Sequence, residues 1–357
     1  MMLSQEEKNQ YHRHIILEEF GQKGQEKLKK AKVLVIGAGG LGCPVLQYLT
    51  AAGVGTIGIV DFDVVDQSNL QRQVLYTTED IGKPKAEQAA MRLSNLNPFV
   101  NFEIHNYKLN KDNAELLFSA YDVIVDGSDN FATRYLVSDA CVLTGKPLVF
   151  GSIFKFQGQV TVFNYNNGPT YRCLFPEPPG PDEVPNCSGV GVIGVLPGII
   201  GTLQANETIK LITGIGKILD GSLLYFDALT MSQQIVKFSK NEDIQITRLE
   251  DDYDVFCGVS DDNSSLIKEI LAEELKSNPE KYTILDVRTE REFQQFNIGG
   301  LHIPLDELDD RYQEINKELP IVVCCQSGVR SLKAINLLLN LNVGLELINL
   351  KKGLASY

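Results

Sequence analysis

The sequence predicts an α/β protein built in two blocks, a mixed sheet with flanking helices over residues 1–250 and a smaller α/β unit over residues 278–357. Three observations carry this. In the first block the short apolar runs KVLVIG, TIGIVD and YDVIVDG alternate with helix-compatible segments such as PVLQYLTAAG and KPKAEQAAMRLSNL, the recurrence of a mostly parallel sheet. In the second block YTILDVR, LHIPLDEL and IVVCC, followed by SLKAINLLLNL, repeat the pattern on a smaller scale. The length, 357 residues, also exceeds what one hydrophobic core usually organises.

The chain opens with MMLSQEEKNQYHRHIILEEF, which is polar and lacks the basic start and unbroken apolar stretch of a signal peptide. No later apolar run is long enough to cross a bilayer, so a cytoplasmic, non-membrane protein is expected. After the alternating strands come GQVTVFNY and LLYFDALTMSQQIVKF, read as antiparallel strands around the helical segment GIIGTLQANETIKLITGIG. LFPEPPGPDEVPNCSGVG is too rich in proline for either regular element and reads as a loop. Residues 251–277 are expected to be a linker and connecting helix, since EDDYDVFCGVSDDNSS is acidic and SLIKEILAEELKSN has helical apolar spacing.

Composition narrows the function. With 43% apolar and 22% charged residues the core should be substantial, and no stretch resembles a disordered tail. Thirty-three basic against 46 acidic residues give a formal charge of -13, which argues against a non-specific nucleic-acid binder or an anionic-membrane protein. The seven cysteines are scattered and odd in number, so reactive thiols are a better expectation than a disulfide framework.

In VLVIGAGGLG, Gly37, Gly39, Gly40 and Gly42 lie between a strand and a helix, where phosphate can approach backbone N–H groups and a helix N-terminus. Asp61 ends the next strand, where its carboxylate can accept from ribose hydroxyls. This much fits a dinucleotide as readily as ATP. The residues that follow, Asp63, Asn69, Arg72, Gln73 and Lys85, add the dense phosphate clamp that hydride transfer does not need. Asp126, Asp129 and Asn130 follow a further strand, where a carboxylate can hold magnesium against ATP phosphates.

Here the sequence resembles the ubiquitin-activating-like adenylyltransferase family, its molybdopterin-synthase and thiamine-pathway sulfur-carrier branches most closely. The motifs RHIILEEFGQKGQEKL, VLVIGAGGLGCPVLQYLTAAGVG, DFDVVDQSNLQRQ, GKPKAE, DGSDNFATRY, GKPLVFGSIFKFQGQVTVF and YRCLFPEPP occur in family order. The resemblance implies a Rossmann-like fold and a homodimer in which ATP activates the C-terminal glycine carboxylate of a ubiquitin-like sulfur-carrier protein. By motif, Arg13 would reach the partner subunit's ATP, Asp61 the ribose, Asn69, Arg72 and Lys85 the phosphates, and Asp129 magnesium. Cys187, in PNCSGVG, lies at the family position of a loop cysteine near the carrier tail, a thiol suited to acyl trapping or disulfide exchange.

Residues 282–357 resemble a rhodanese sulfurtransferase domain through LDVRTEREFQQFNIGGLHIPLDEL and IVVCCQSGVRS. Cys325, Gly328 and Arg330 form its Cys-x-x-Gly-x-Arg loop, with Gln326, Ser327 and Val329 between them. Backbone donors and a helix N-terminus would stabilise a thiolate and a terminal persulfide sulfur there. Cys324 is expected to pack at the strand end, and Asp286 and Arg288 to support the fold and the loop electrostatics.

The expected activity is therefore adenylation of the molybdopterin-synthase small subunit, with Cys325 supplying sulfur from a persulfide donor such as a cysteine desulfurase. The alternatives are the same chemistry on the thiamine-pathway carrier, or a carrier-binding scaffold without turnover. One departure concerns zinc. Many family members carry two Cys-x-x-Cys pairs forming a four-thiolate site, whereas here Thr170 and Asp254 replace the first thiols and leave Cys173 and Cys257. ATP and Mg²⁺ are expected; structural zinc is not.

Overall fold

The computed structural model describes residues 2–179, 191–257, 267–316, 319–341 and 345–357. They form two compact units, Met1–Cys257 and Gly258–Tyr357. The first holds an eight-stranded sheet in the order β3-β2-β1-β4-β5-β6-β7-β8. Its strands are β1 (Lys32–Ile36), β2 (Thr56–Val60), β3 (Asn101–His105), β4 (Val123–Asp126), β5 (Leu148–Phe154), β6 (Gln157–Phe163), β7 (Ser222–Asp227) and β8 (Ser232–Lys237). β1 to β5 are parallel; β6, β7 and β8 continue the sheet antiparallel.

The strand sequences account for this layering. β1, β2 and β4 are apolar on both faces because helices cover both, and the apolar side chains divide into separate cores. The outer strand β8, SQQIVK, is exposed throughout and reads as polar at its start. Since β1 lies between β2 and β4, the chain leaves in opposite directions from the carboxyl ends of β1 and β4. Such a switch in strand order opens the crevice where α/β sheets bind ligands. The helix Val195–Thr213 covers β5 and β6 and packs on the helix Gly42–Ala52 that follows β1.

The second unit is a five-stranded, all-parallel sheet in the order β11-β10-β12-β13-β9. Its strands are β9 (Lys268–Ile270), β10 (Thr283–Asp286), β11 (Leu301–His302), β12 (Ile321–Cys324) and β13 (Leu347–Leu350). Separate apolar cores lie on its two faces.

The segment 251–277 differs from the expected linker and helix. Tyr253–Phe256 is a short helix of the first unit, packed on Phe131–Thr144. Helix over SLIKEILAEELKSN begins only at Ala272; Lys268–Ile270 is instead β9, paired with β13. Pairing there satisfies main-chain groups that β13 would otherwise present as an open edge, which outweighs local helical spacing. Among the described residues, no helix is long and apolar enough to cross a membrane.

Candidate active sites

The first site lies at the switch in strand order. β1 ends at Ile36 and the chain turns through Gly37 at φ +86° into the helix Gly42–Ala52. A Cβ on Gly37 would lie 3.0 Å from Gly127 O, and one on Gly42 would overlap Gly37 O. The loops after β1 and β4 therefore touch through bare backbone, and glycine is required at both positions. Gly39 and Gly40 complete the loop beside Gln73 and Arg72.

Asp61 follows β2 and accepts from Ala38 N at 2.8 Å and Asp63 N at 2.9 Å, so it shapes the glycine loop from the neighbouring strand. Burial pushes its carboxyl upward, and the Lys85 charge opposes that. Lys85 is buried, its Nζ 2.9 Å from Asp63 Oδ2. Tyr76 Oη donates to Ala38 O at 2.8 Å and lies 3.2 Å from Lys85 O, tying the glycine loop to the start of the lysine's helix. Arg72 donates to Ser68 O at 3.0 Å, and Asn69 Oδ1 accepts from Asp66 N at 3.2 Å. Gln73 is buried with its Oε1 lacking a hydrogen-bond partner among the described residues.

Across the crevice, Asp126 ends β4 fully buried. Its Oδ1 accepts from Ser128 N at 2.8 Å, while Oδ2 has no hydrogen-bond partner among the described residues. Burial pushes this carboxyl up as well. Asp129 is exposed, and Asn130 caps the helix Phe131–Thr144 by accepting from Thr133 N at 2.9 Å. One turn along, Arg134 is buried against Phe131 and Phe150, its guanidinium 5.3 and 5.8 Å from their ring centres. A cavity of about 260 Å³ opens beside these groups, bounded by Asp129, Arg134, Ser152, Gln157, Gln159 and Tyr225. An acidic oxygen at the crevice rim suits magnesium, so Asp129 fits the ion that the nucleotide would bring.

Arg13 stands apart. It is exposed on the short helix His12–Ile15, and no hydrogen bond among the described residues joins it to Asp61, Arg72 or Lys85. Cys187 lies outside the described residues.

The second site is the loop from β12 to the helix Val329–Asn340. Cys324, the last residue of β12, packs into the apolar cluster on one face of the sheet, and burial pushes its thiol well up. Cys325, the first residue past the strand, packs with the cluster on the other face, continuing the alternation of the strand. Gly328, at φ +91°, donates its N–H to Cys325 Sγ at 3.2 Å. Ser331 Oγ lies 3.5 Å from the sulfur and 2.7 Å from Asn349 Oδ1 on β13. Gln326 and Ser327 are exposed.

Arg330 is gripped by Glu292, at 2.8 Å to Oε2 and 2.6 Å to Oε1. Arg330 first, then Thr289, holds the Glu292 carboxyl down to about 2. Asp286 and Arg288 form a buried pair at 2.7 Å, and Arg288 also donates to Phe296 O at 2.6 Å.

Glu292, Ser331, Asn349, Tyr76 and Arg134 were not singled out by the sequence reading. Glu292 had one available signal, the T-x-x-E capping pattern of its helix. The stretches compared with a zinc site hold other contacts. Thr170 N and Asn241 N each lie 3.4 Å from Cys173 Sγ, and Asp254 pairs with Lys108 at 3.0 Å. Burial pushes the Cys257 thiol up to about 12. Among the described residues, no group of three or more His, Cys, Asp or Glu side chains is arranged to hold a metal ion.

Comparison with known proteins matches residues 11–246 to the ThiF family and residues 271–357 to the rhodanese-like domain. The chain is 52% identical over 270 residues to a sulfur carrier protein adenylyltransferase of Thermus thermophilus, covering 72% of this chain and all of that one. It is 45% identical over 348 residues to the probable adenylyltransferase/sulfurtransferase MoeZ of Mycobacterium tuberculosis, covering 93% of this chain and 88% of the relative. Among solved structures, E. coli MccB with ATP superposes with a TM-score of 0.59 at 21% identity, over 68% of this chain and 75% of that one, a likeness of fold alone.

Proposed function

Since the chain belongs to the ThiF family and carries a rhodanese-like domain behind it, we propose that it adenylates the C-terminal glycine of a ubiquitin-like sulfur carrier and then delivers sulfur to it from Cys325. The observation that carries this is the presence in one chain of a phosphate crevice with Arg72 and Lys85 and a cysteine loop whose backbone N–H faces the sulfur. The relatives named above are named for these activities.

In the first step the carrier carboxylate attacks the α-phosphorus of ATP. A new P–O bond forms, the bond to the β-phosphate oxygen breaks, and pyrophosphate leaves. Two anions must meet, so Arg72 and Lys85 offset their repulsion and the charge gathering on the phosphate oxygens. Lys85 is now occupied by Asp63 and would exchange that partner for phosphate. Asp61 would take the ribose, and Asp129 would hold magnesium, which when bound offsets charge on the pyrophosphate. The cavity beside Asp129 supplies space for a small-residue tail.

In the second step the Cys325 thiolate attacks the terminal sulfur of a donor persulfide, as a cysteine desulfurase provides, and the donor leaves as its thiolate. The Cys325 persulfide then attacks the carrier's acyl carbon and AMP departs. A further thiolate, for which Cys187 is this chain's candidate, attacks the Cys325 sulfur, forming a disulfide and releasing the carrier thiocarboxylate. Joining both activities in one chain raises the effective concentration of the sulfur donor.

The exposed position of Arg13 supports a role at a second subunit's ATP in a homodimer. The proposed carrier is the molybdopterin-synthase small subunit. Purified protein mixed with that carrier or the thiamine-pathway carrier, ATP, Mg²⁺ and a cysteine desulfurase with cysteine as persulfide source, with mass spectrometry of the carrier tail, tests the reading. Exchange of one tail oxygen for sulfur on the first carrier supports it. Conversion of only the thiamine carrier reassigns the pathway, and absence of carrier-dependent ATP–pyrophosphate exchange with both leaves a scaffold. The same reading has no structural zinc, and near-stoichiometric zinc lost with Cys173→Ala would overturn that part.

A further inference from the structure

The loop around Cys325 is braced by a segment that contributes no side chain to the sulfur. After β13 the chain passes through Lys352 at φ +63° and Gly353 at φ +62° into the turn Gly353–Ser356. Leu354 N donates to Cys325 O at 2.8 Å and Ala355 N to Gln326 O at 2.9 Å. Two successive peptide carbonyls of the cysteine loop are thus held against this turn, away from the sulfur. The approach is glycine on glycine. A Cβ on Gly353 would lie 2.6 Å from Gly328 N and 2.7 Å from Gln326 C, and would overlap Cys325 O. One on Gly328 would lie 3.3 Å from Lys352 N. Gly328 N is the atom that donates to Cys325 Sγ.

We propose that the turn Gly353–Ser356 is a working part of the sulfur site, and that Gly353 is a positioning residue acting through the main chain of Cys325 and Gly328. A single sulfur atom offers small, fixed directions for hydrogen bonding, so the N–H groups around it act only when their peptide planes are set beforehand. Those planes belong to a loop outside any helix or strand, its Gln326 and Ser327 exposed. The turn supplies a partner by donating to the Cys325 and Gln326 carbonyls, which fixes the rotation of the two peptides that precede the sulfur-facing N–H of Gly328. Any residue but glycine at 353 pushes on those same atoms and pays for a left-handed backbone as well.

The proposal rests on Cys325 as the sulfur carrier, and the test separates the two. In the full-length protein, Gly353→Ala and a variant carrying an ester in place of the Leu354 amide N–H are compared with the parent. Three readouts are taken: the rate of Cys325 alkylation by iodoacetamide across pH, the rate of persulfide loading from a persulfide donor, and carrier-dependent pyrophosphate exchange. The ester removes the donor to Cys325 O, weakens Gly353 O as the acceptor of Ser356 Oγ and leaves every side chain in place, so it decides the matter should Gly353→Ala fail to fold. The expected result is an alkylation profile displaced to higher pH and loading slowed about 10- to 100-fold with the donor KM unchanged. Pyrophosphate exchange should match the parent. A folded ester variant with the parent's alkylation profile and loading rate overturns the proposal. A displaced profile in a protein whose parent never loads persulfide upholds the positioning role and removes the sulfurtransferase reading.

Discussion

In both units a strand with parallel neighbours runs out into a glycine-bearing loop and then a helix, but the loop after β1 stays open while the loop after β12 closes on its own cysteine. Around Gly37–Gly42 the polar groups arrive from separate strand ends: Asp61 after β2, Arg72 and Lys85 further on, Asp129 after β4. Around Cys325 the donor to sulfur, Gly328 N, lies within the same loop. The difference matches the proposed ligands. A triphosphate is long and highly charged and needs cations from several directions, whereas a sulfur atom needs a few oriented backbone N–H groups.

A second contrast concerns two buried aspartates, each ending a central strand. Asp126 on β4 leaves one oxygen without a hydrogen-bond partner among the described residues, while Asp286 on β10 is fully engaged by Arg288. The first carboxylate is costly to ionise; the second neutralises a buried guanidinium.

The largest expected effect separates the loops outright. Cys325→Ala should abolish persulfide loading and leave adenylation at the parent rate, while a fully loaded persulfide on Cys324 in that variant would reverse the assignment. Next, Arg72→Ala and Lys85→Ala should each slow carrier-dependent pyrophosphate exchange about 10²- to 10³-fold with loading of Cys325 intact, and normal exchange in both would remove the clamp. Arg13→Ala should be equally impaired alone, yet recover activity when mixed with Lys85→Ala in verified heterodimers. No rescue there counts against an arginine acting across subunits.

The aspartates should then differ in stability. Asp286→Asn is expected to cost the second unit about 3–5 kcal/mol by leaving Arg288 buried without its counter-charge, as denaturant unfolding of that unit would show. Asp126→Asn should be neutral or stabilising at pH 7, because the folded carboxyl is raised above its usual 3.8. Stability from such a group is present at low pH and lost as pH rises through the folded value. A large loss on Asp126→Asn would sink this contrast.

The smallest effect runs the other way with pH. Glu292 is lowered from 4.5 to about 2, so the stability it gives the second unit is complete above 4.5 and is lost as pH falls through about 2. Glu292→Gln should cost about 1 kcal/mol at pH 7 and nothing near pH 2, and an equal loss at both would mean the charge is irrelevant.

Much of this molecule is local. The apolar runs of β1, β2, β4 and β12 and the glycine and cysteine loops at their ends follow from residue pattern and backbone preference, which neighbouring residues dictate. The choice of Cys325 over Cys324 as the proposed sulfur site rests on the register of the rhodanese-like Cys-x-x-Gly-x-Arg motif, which spacing alone would not select. Other features arise between segments that approach only after the sheets have formed. KEI reads as helix until β13 offers it an edge to pair with. Arg134, buried on its helix, meets Phe150 because β4 and β5 are neighbours. Glu292 and Arg330 lie far apart in sequence, joined because β10 and β12 are adjacent. Gly353 carries no side chain for a pattern to register, and its contact with Cys325 exists because β13 runs parallel to β12 and delivers the turn to the same end of the sheet. Periodicity and loop chemistry lie in the chain; strand order decides which loops meet, because hydrogen bonding and close packing act between segments that the order of residues leaves apart.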